Sequence, residues 1–224
     1  MGEVPVIDCH TRFDHLNKNE NRNTILHIKN SEKPIVIILN GPSSVGKSLI
    51  SFFFQEMVDK PFLHIGIDIM INMMPNKMNN WEGDKAEQGF WWQEEVDHEG
   101  STVFSIQMGN YAQKINDTYK AMVNTLVLNG HNVIVDEVAF GQKALNEWKN
   151  ELQNCCIFFV GVTANLEVLE SREKERGDRK IGSARHQFYN VHKNVTYDLL
   201  IDTSNTKPEQ CVSEIVAFVN SALK

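Results

Sequence analysis

From Pro34 onward, short aliphatic runs alternate with stretches of helical periodicity. The run "PIVIILN" is β-branched and continuous rather than alternating, as expected of a strand buried on both faces of a sheet. "GKSLISFFFQEMVDK" follows as a helix, "PFLHIGID" as a second strand, and "IMINMMP" as a short amphipathic turn closed by Pro75. A long helix, "YAQKINDTYKAMVNTLVLNG", ends at Gly130, and "HNVIVDEV" is the next strand. Helix "QKALNEWKNELQN" leads to strand "CCIFFVGV", and Asn165 is placed to N-cap helix "LEVLESREKER". After "GDRKIGSARHQFYNVH" come strand "YDLLIDTS" and a closing helix begun by Pro208. This order predicts an α/β fold with a mostly parallel sheet flanked by helices, in three layers α/β/α.

Two regions break the rhythm. Residues 1–33 are polar and Asn-rich, with a short apolar patch "TILHI" that has no partner in the pattern, and are expected to be an N-terminal appendage to a domain over residues 34–224. Residues 76–100, rich in Asn, Gly, acids and Trp, are too long for an ordinary connection and predict a substrate loop or lid within an insertion over about 76–108.

Composition narrows the partners. Among 224 residues, 22 Lys and Arg stand against 29 Asp and Glu, a net charge of -7, so no chain-wide positive field draws nucleic acid or anionic lipid. Cys9, Cys155, Cys156 and Cys211 show no metal-ligand spacing and read as free thiols in a reducing compartment. No basic-then-apolar leader opens the chain and no apolar run is long enough for a bilayer, so a soluble, cytoplasmic protein without membrane or nucleic-acid partners is expected. The eight histidines lack zinc-site spacing.

The abrupt end of the first strand carries the chemistry. Gly41, Pro42, Ser43, Ser44, Val45, Gly46, Lys47 and Ser48 fit GxxxxGK[ST] between a strand and a helix, the context of a phosphate-binding P-loop, Walker A. Glycines let consecutive N-H groups curl toward phosphate oxygens, and the helix start adds its positive end. Lys47 supplies an ammonium for β- and γ-phosphates, and the Ser48 hydroxyl is a Mg²⁺ ligand. Asp136, ending a buried strand, is the matching metal-side carboxylate; Glu137 beside it is a weaker candidate.

Strand "HIGID" brings Asp68 to the rim where ligands of open parallel sheets gather. There its carboxylate can align an acceptor hydroxyl with the γ-phosphorus and take the proton late, or it can cap the short helix after it; both roles can hold. Arg172, Arg176 and Arg179 follow i, i+4, i+7 spacing, but Gly177 makes a hinge more plausible than one continuous helix. An arginine-bearing lid over residues 172–192 would close on a triphosphate; the alternative is a solvated helix with Glu170, Glu173 and Glu175 as partners. Trp81, Trp91 and Trp92 fit either core packing or the wall of an acceptor pocket.

The motifs "IILNGPSSVGKS", "GIDIMINMMP", "VIVDEVAFG", "FVGVTAN", "REKERGDRKIG" and "VHKNVTYDLLIDT", in this order, resemble the chloramphenicol phosphotransferase family of P-loop kinases. The resemblance implies transfer of the γ-phosphoryl group of ATP, with Mg²⁺, to a hydroxyl of a small molecule such as chloramphenicol or another antibiotic or metabolite. It implies that residues 41–48 hold ATP, that Asp68 is the base and that Arg176 and Arg179 belong to the closing segment. Residues 1–33 and the Trp-rich stretch 76–108 depart from the family pattern, so the reaction is better supported than its acceptor. A kinase of a nucleoside, sugar nucleotide or other metabolite remains a rival, as does a nucleotide-dependent switch without a small-molecule acceptor. The sequence leaves assembly into a homo-oligomer open.

Overall fold

A computed structural model describes residues 25–223. Five strands, β1 (Ile35–Asn40), β2 (Phe62–Gly66), β5 (Asn132–Glu137), β6 (Cys156–Thr163) and β7 (Leu199–Asp202), form one sheet in the order β2-β5-β1-β6-β7. Every pairing in it is parallel. The central strand β1 is buried along its whole length and divides two cores, as its uninterrupted aliphatic run requires. Ile35, Ile37 and Leu39 face α1 (Lys47–Met57), α5 (Leu166–Arg176) and α7 (Pro208–Ala222). Val36 and Ile38 face α2 (Ile67–Met73), α3 (Asn110–Leu128) and α4 (Gly141–Glu151). The three expected layers follow from this split.

Two helix boundaries follow the expected local chemistry, and two expected caps do not form. Gly130 takes a left-handed φ of 85° just past α3, and Pro208 opens α7. Asn165 does sit at the N-cap of α5, yet its side chain makes no capping hydrogen bond. Likewise Asp68 is not a cap: α2 starts at Ile67 with Gly66 at the N-cap, so Asp68 lies inside the first turn.

Residues 76–108 are not a long loop. After a single 3-10 turn at Asn76–Met78, β3 (Phe90–Val96) and β4 (Thr102–Met108) pair as an antiparallel hairpin. Its turn is closed by Asp97, whose carboxylate accepts the N-H groups of Glu99 and Ser101 at 2.9 Å each, with Gly100 at a φ of 82°. Trp81 stacks on Phe90 and packs against the buried Trp92, so these two rings belong to the hairpin's own packing. Trp91 occupies the other face, opposite Gln107.

The described part of the N-terminal segment has partners. Ile28 is fully buried in the core beside α1 and α7. Leu26 pairs with Val58. Asn220 of α7 clasps the segment, accepting from Lys29 N-H at 2.8 Å and donating to His27 carbonyl at 2.7 Å. Residues 25–29 therefore act as a strap tying the end of α1 to α7, which supplies the partner that the sequence pattern alone does not show for Leu26, His27 and Ile28. Residues 1–24, with Cys9, lie outside the described residues. Cys155 and Cys156 are half-buried, Cys211 is buried, and all three are free thiols. No helix among the described residues is long and apolar enough to cross a membrane.

Candidate active site

The β1-α1 turn has the backbone of an anion cradle. Ser44 and Gly46 adopt left-handed φ values of 63° and 101°, which turn successive N-H groups inward, and no side chain caps α1. Its first-turn donors and positive end are thus available to a phosphate. Gly41 is required by a close approach: a Cβ there would lie 2.1 Å from the Val162 carbonyl oxygen. Lys47 is buried, and its Nζ donates to the Gly41 and Pro42 carbonyls at 2.9 Å each. Burial lowers the pKa of this ammonium, against the opposing pull of Asp136 and Asp68.

The strand order brings the carboxylates to this cradle. In the sheet register Asp136 of β5 lies beside Leu39 of β1 on one flank and beside Gly66 of β2 on the other. Its carboxylate accepts from Ser48 Oγ at 2.5 Å and lies 3.6 Å from Lys47 Nζ. Hydroxyl and carboxylate oxygens in contact, next to a phosphate cradle, are the hard donor set that suits Mg²⁺. Glu137 turns away: buried against α4, it accepts from Trp148 Nε1 at 3.0 Å and from Val138 N-H at 2.7 Å, and burial raises its pKa. Of the two acids, only Asp136 faces Ser48 and Lys47 at the cradle.

Asp68, two residues past the end of β2, pairs with Arg179 of the segment after α5. Partial desolvation pushes its pKa up, but Arg179, followed by Arg176 and Lys47, outweighs it and holds the carboxyl below its ordinary range. The acid, the P-loop lysine and two arginines therefore share one electrostatic field.

The three arginines do not share one face. α5 ends at Arg176, and Gly177 takes a left-handed φ of 68°, the break expected at a hinge. Arg172 supports the loop from behind, donating to the Thr203 carbonyl at 2.8 Å, while Thr203 Oγ1 donates to the Val45 carbonyl at 2.7 Å. Arg176 lies 2.6 Å from Asp178, and Arg179 reaches Asp68. Nor do Glu170 and Glu173 lie on a solvated stripe, although Glu175 is exposed. Glu173 is buried and accepts from Gly182 N-H, Ser183 Oγ and Ala184 N-H at 2.8, 2.7 and 2.8 Å, fixing the start of α6 (Ser183–Asn190). Glu170 accepts from Arg185 at 3.1 Å.

Two residues at the cradle had no signal in periodicity or motif spacing. Asn40 is fully buried under the loop, donating to the Ala139 carbonyl and to Tyr197 Oη and accepting from Ala139 N-H. It stood in "LNG" at the strand end, where a buried amide is the available hint. Gln187 of α6 accepts the Ser43 N-H at 2.6 Å. Nothing in its helix distinguishes it before folding.

Known proteins extend this picture. At 29% identity over 181 residues, covering 80% of both chains, the chain is similar to a Mycobacterium tuberculosis H37Rv protein provisionally named an O-phosphotransferase. It is also similar, at 22% identity over 87% of this chain and 89% of the other, to a guanylate kinase of Onion yellows phytoplasma. Among solved structures, the APS kinase CysC of Mycobacterium tuberculosis superposes with a TM-score of 0.56 at 11% identity, over 84% of this chain and 99% of that one. A gluconokinase of Sinorhizobium meliloti gives a TM-score of 0.54 at 16% identity, over 86% and 95%. The parallel sheet with helices on both faces is thus the three-layer P-loop kinase fold. The profile of the "Chloramphenicol phosphotransferase-like protein" family matches residues 34–220, from the first residue before β1 into α7, and the chain belongs to that family.

Proposed function

We propose that the protein is an ATP- and Mg²⁺-dependent kinase that moves the γ-phosphoryl group to a hydroxyl of a small molecule. The observation that carries this reading is the placement of Asp68: a carboxylate in the first turn of α2, two residues past the strand that pairs with Asp136, in the field of Lys47 and paired with Arg179. A nucleotide-binding switch needs the cradle but not an acid placed to orient an acceptor hydroxyl.

In this reading the amides of residues 41–48 and Lys47 bind the triphosphate tail. Ser48 and Asp136 would hold Mg²⁺, which neutralises phosphate charge when bound. Asp68 accepts the hydrogen bond of the incoming hydroxyl and orients its lone pair toward the γ-phosphorus. As the new P-O bond forms and the bond to the ADP oxygen breaks, the hydroxyl proton passes to the Asp68 carboxylate. With a pKa below the ordinary range Asp68 is a weak base, so its contribution is chiefly orientation, with proton acceptance late along the coordinate. Arg179 and Arg176 offset charge on the transferring group once the acceptor displaces the Asp68-Arg179 pairing.

The family and the relatives' names support the reaction class and leave the acceptor open. Incubation with ATP and Mg²⁺ against a panel of chloramphenicol, sugars, nucleosides, sugar nucleotides and GMP, read by product mass, tests it. One acceptor gaining a single phosphoryl mass supports the kinase; ATP turnover that no acceptor stimulates favours the switch.

A further inference from the structure

Helix α6 reaches the phosphate loop through the Gln187 side chain. Gln187 is buried, with 5% of its surface exposed, and its Oε1 takes the Ser43 N-H at 2.6 Å. Ser43 follows directly on Gly41 and Pro42, whose carbonyls hold the Lys47 ammonium. Because that ammonium serves the β- and γ-phosphates, Gln187 stands beside the outer end of the triphosphate site rather than beside the base or ribose.

The side chain is placed rigidly. Glu173 fixes the first turn of α6 through Gly182, Ser183 and Ala184. Arg185 ties the same helix to the hairpin turn, at 2.6 Å to Asp97 and also to Glu99, and to Glu170 of α5. His186 lies 3.9 Å from Glu95 of β3. Residues 185, 186 and 187 thus hold the hairpin on one side and the phosphate loop on the other. With Oε1 committed to Ser43, the Nε2 donors of Gln187 have no partner among the described residues.

We propose that Gln187 is a positioning residue for phosphoryl transfer: Oε1 holds the first half of the loop in shape while Nε2-H donates to an oxygen of the terminal phosphoryl group. This rests on the kinase reading above and deepens it. The contact also gives the hairpin a mechanical route to the γ-phosphate, through Arg185 and α6.

Gln187→Glu separates the two halves of the claim. It keeps an oxygen acceptor for Ser43 in the same volume but replaces the donor with a carboxylate oxygen, whereas Gln187→Met removes both. Affinities for a non-hydrolysable ATP analogue and for ADP, each with Mg²⁺, are measured by calorimetry on the full chain and both variants. The expected result is a loss of about tenfold or more in ATP-analogue affinity for Gln187→Glu, with ADP affinity within about twofold of the parent protein. Equal affinities for both nucleotides in parent and Gln187→Glu would overturn the donor role, as would an equal loss of both, which marks a merely structural part. Gln187→Met is expected to weaken both nucleotides; if it binds the ATP analogue as the parent does, the contact with Ser43 does no positioning. Failure of the parent itself to bind the ATP analogue would overturn the kinase reading and this inference together, and so is told apart from a failure of Gln187 alone.

Discussion

Arg179 and Asp68, 111 residues apart in the chain, meet as an ion pair that joins the segment after α5 to the end of the second strand. The pair is electrostatically coupled to Lys47 and Asp136 at the phosphate cradle. Its arginine has a pKa shift of its own: burial lowers it, and Asp68 more than reverses that, so the guanidinium stays charged throughout. The consequence lies with the acid, which Arg179 keeps ionised at pH values where the same carboxylate without it would begin to protonate.

Arg179→Ala removes the strongest force lowering the Asp68 pKa, so that pKa rises. Activity that requires the ionised carboxylate is lost as pH falls through it, and the acid limb of the kcat/KM profile is therefore predicted to move to higher pH in the variant. Arg179→Lys, which keeps the charge but not the planar fork, is predicted to restore most of the limb's position while leaving kcat low. A limb that stays in place in Arg179→Ala would show that another group titrates.

Lys47→Met replaces the buried ammonium with an apolar chain of similar length. Loss of the charge directed at the β- and γ-phosphates is predicted to lower kcat by roughly a hundredfold or more, with the fold intact by circular dichroism. Asp136→Asn is predicted to raise the Mg²⁺ concentration needed for half-maximal activity, because it weakens the oxygen pair formed with Ser48.

Ile28→Ala tests the N-terminal strap. A fully buried aliphatic side chain in the core next to α1 and α7 is lost, and unfolding free energy is predicted to fall by about 2–4 kcal/mol in denaturant titrations. An unchanged midpoint would mean that the segment is dispensable to the core.

The strap also shows where a linear reading runs short. The parallel sheet was legible because β1, β5 and β6 are unbroken aliphatic runs punctuated by Gly, Asn and Asp, and the P-loop because its spacing fixes its chemistry. Asp68 and Asp136 were legible as acids at strand ends. What escaped depends on contacts distant in sequence. The hairpin was hidden because Glu94, Glu95 and Gln93 interrupt the apolar pattern of β3, and the strand is defined by its pairing with β4. Arg172 reads as part of a lid or of a solvated helix and Glu173 as a solvated partner, and only the fold reveals Thr203 and the start of α6 as their partners. The strap was obscured by its polar neighbours, since one buried isoleucine does not make a periodicity. Gln187 is a polar residue on a short helix whose meaning comes entirely from what lies across from it.

The most direct measurement is single-turnover phosphorylation by Asp68→Asn of whichever panel acceptor yields most phosphoproduct with the parent protein, alongside ATP-analogue affinity. The amide is isosteric and preserves the crevice, but it cannot receive the hydroxyl proton and no longer carries the charge that meets Arg179. The account predicts a rate lower by roughly a hundredfold or more, with nucleotide affinity within about twofold of the parent. Product formation by Asp68→Asn at the parental rate would contradict it.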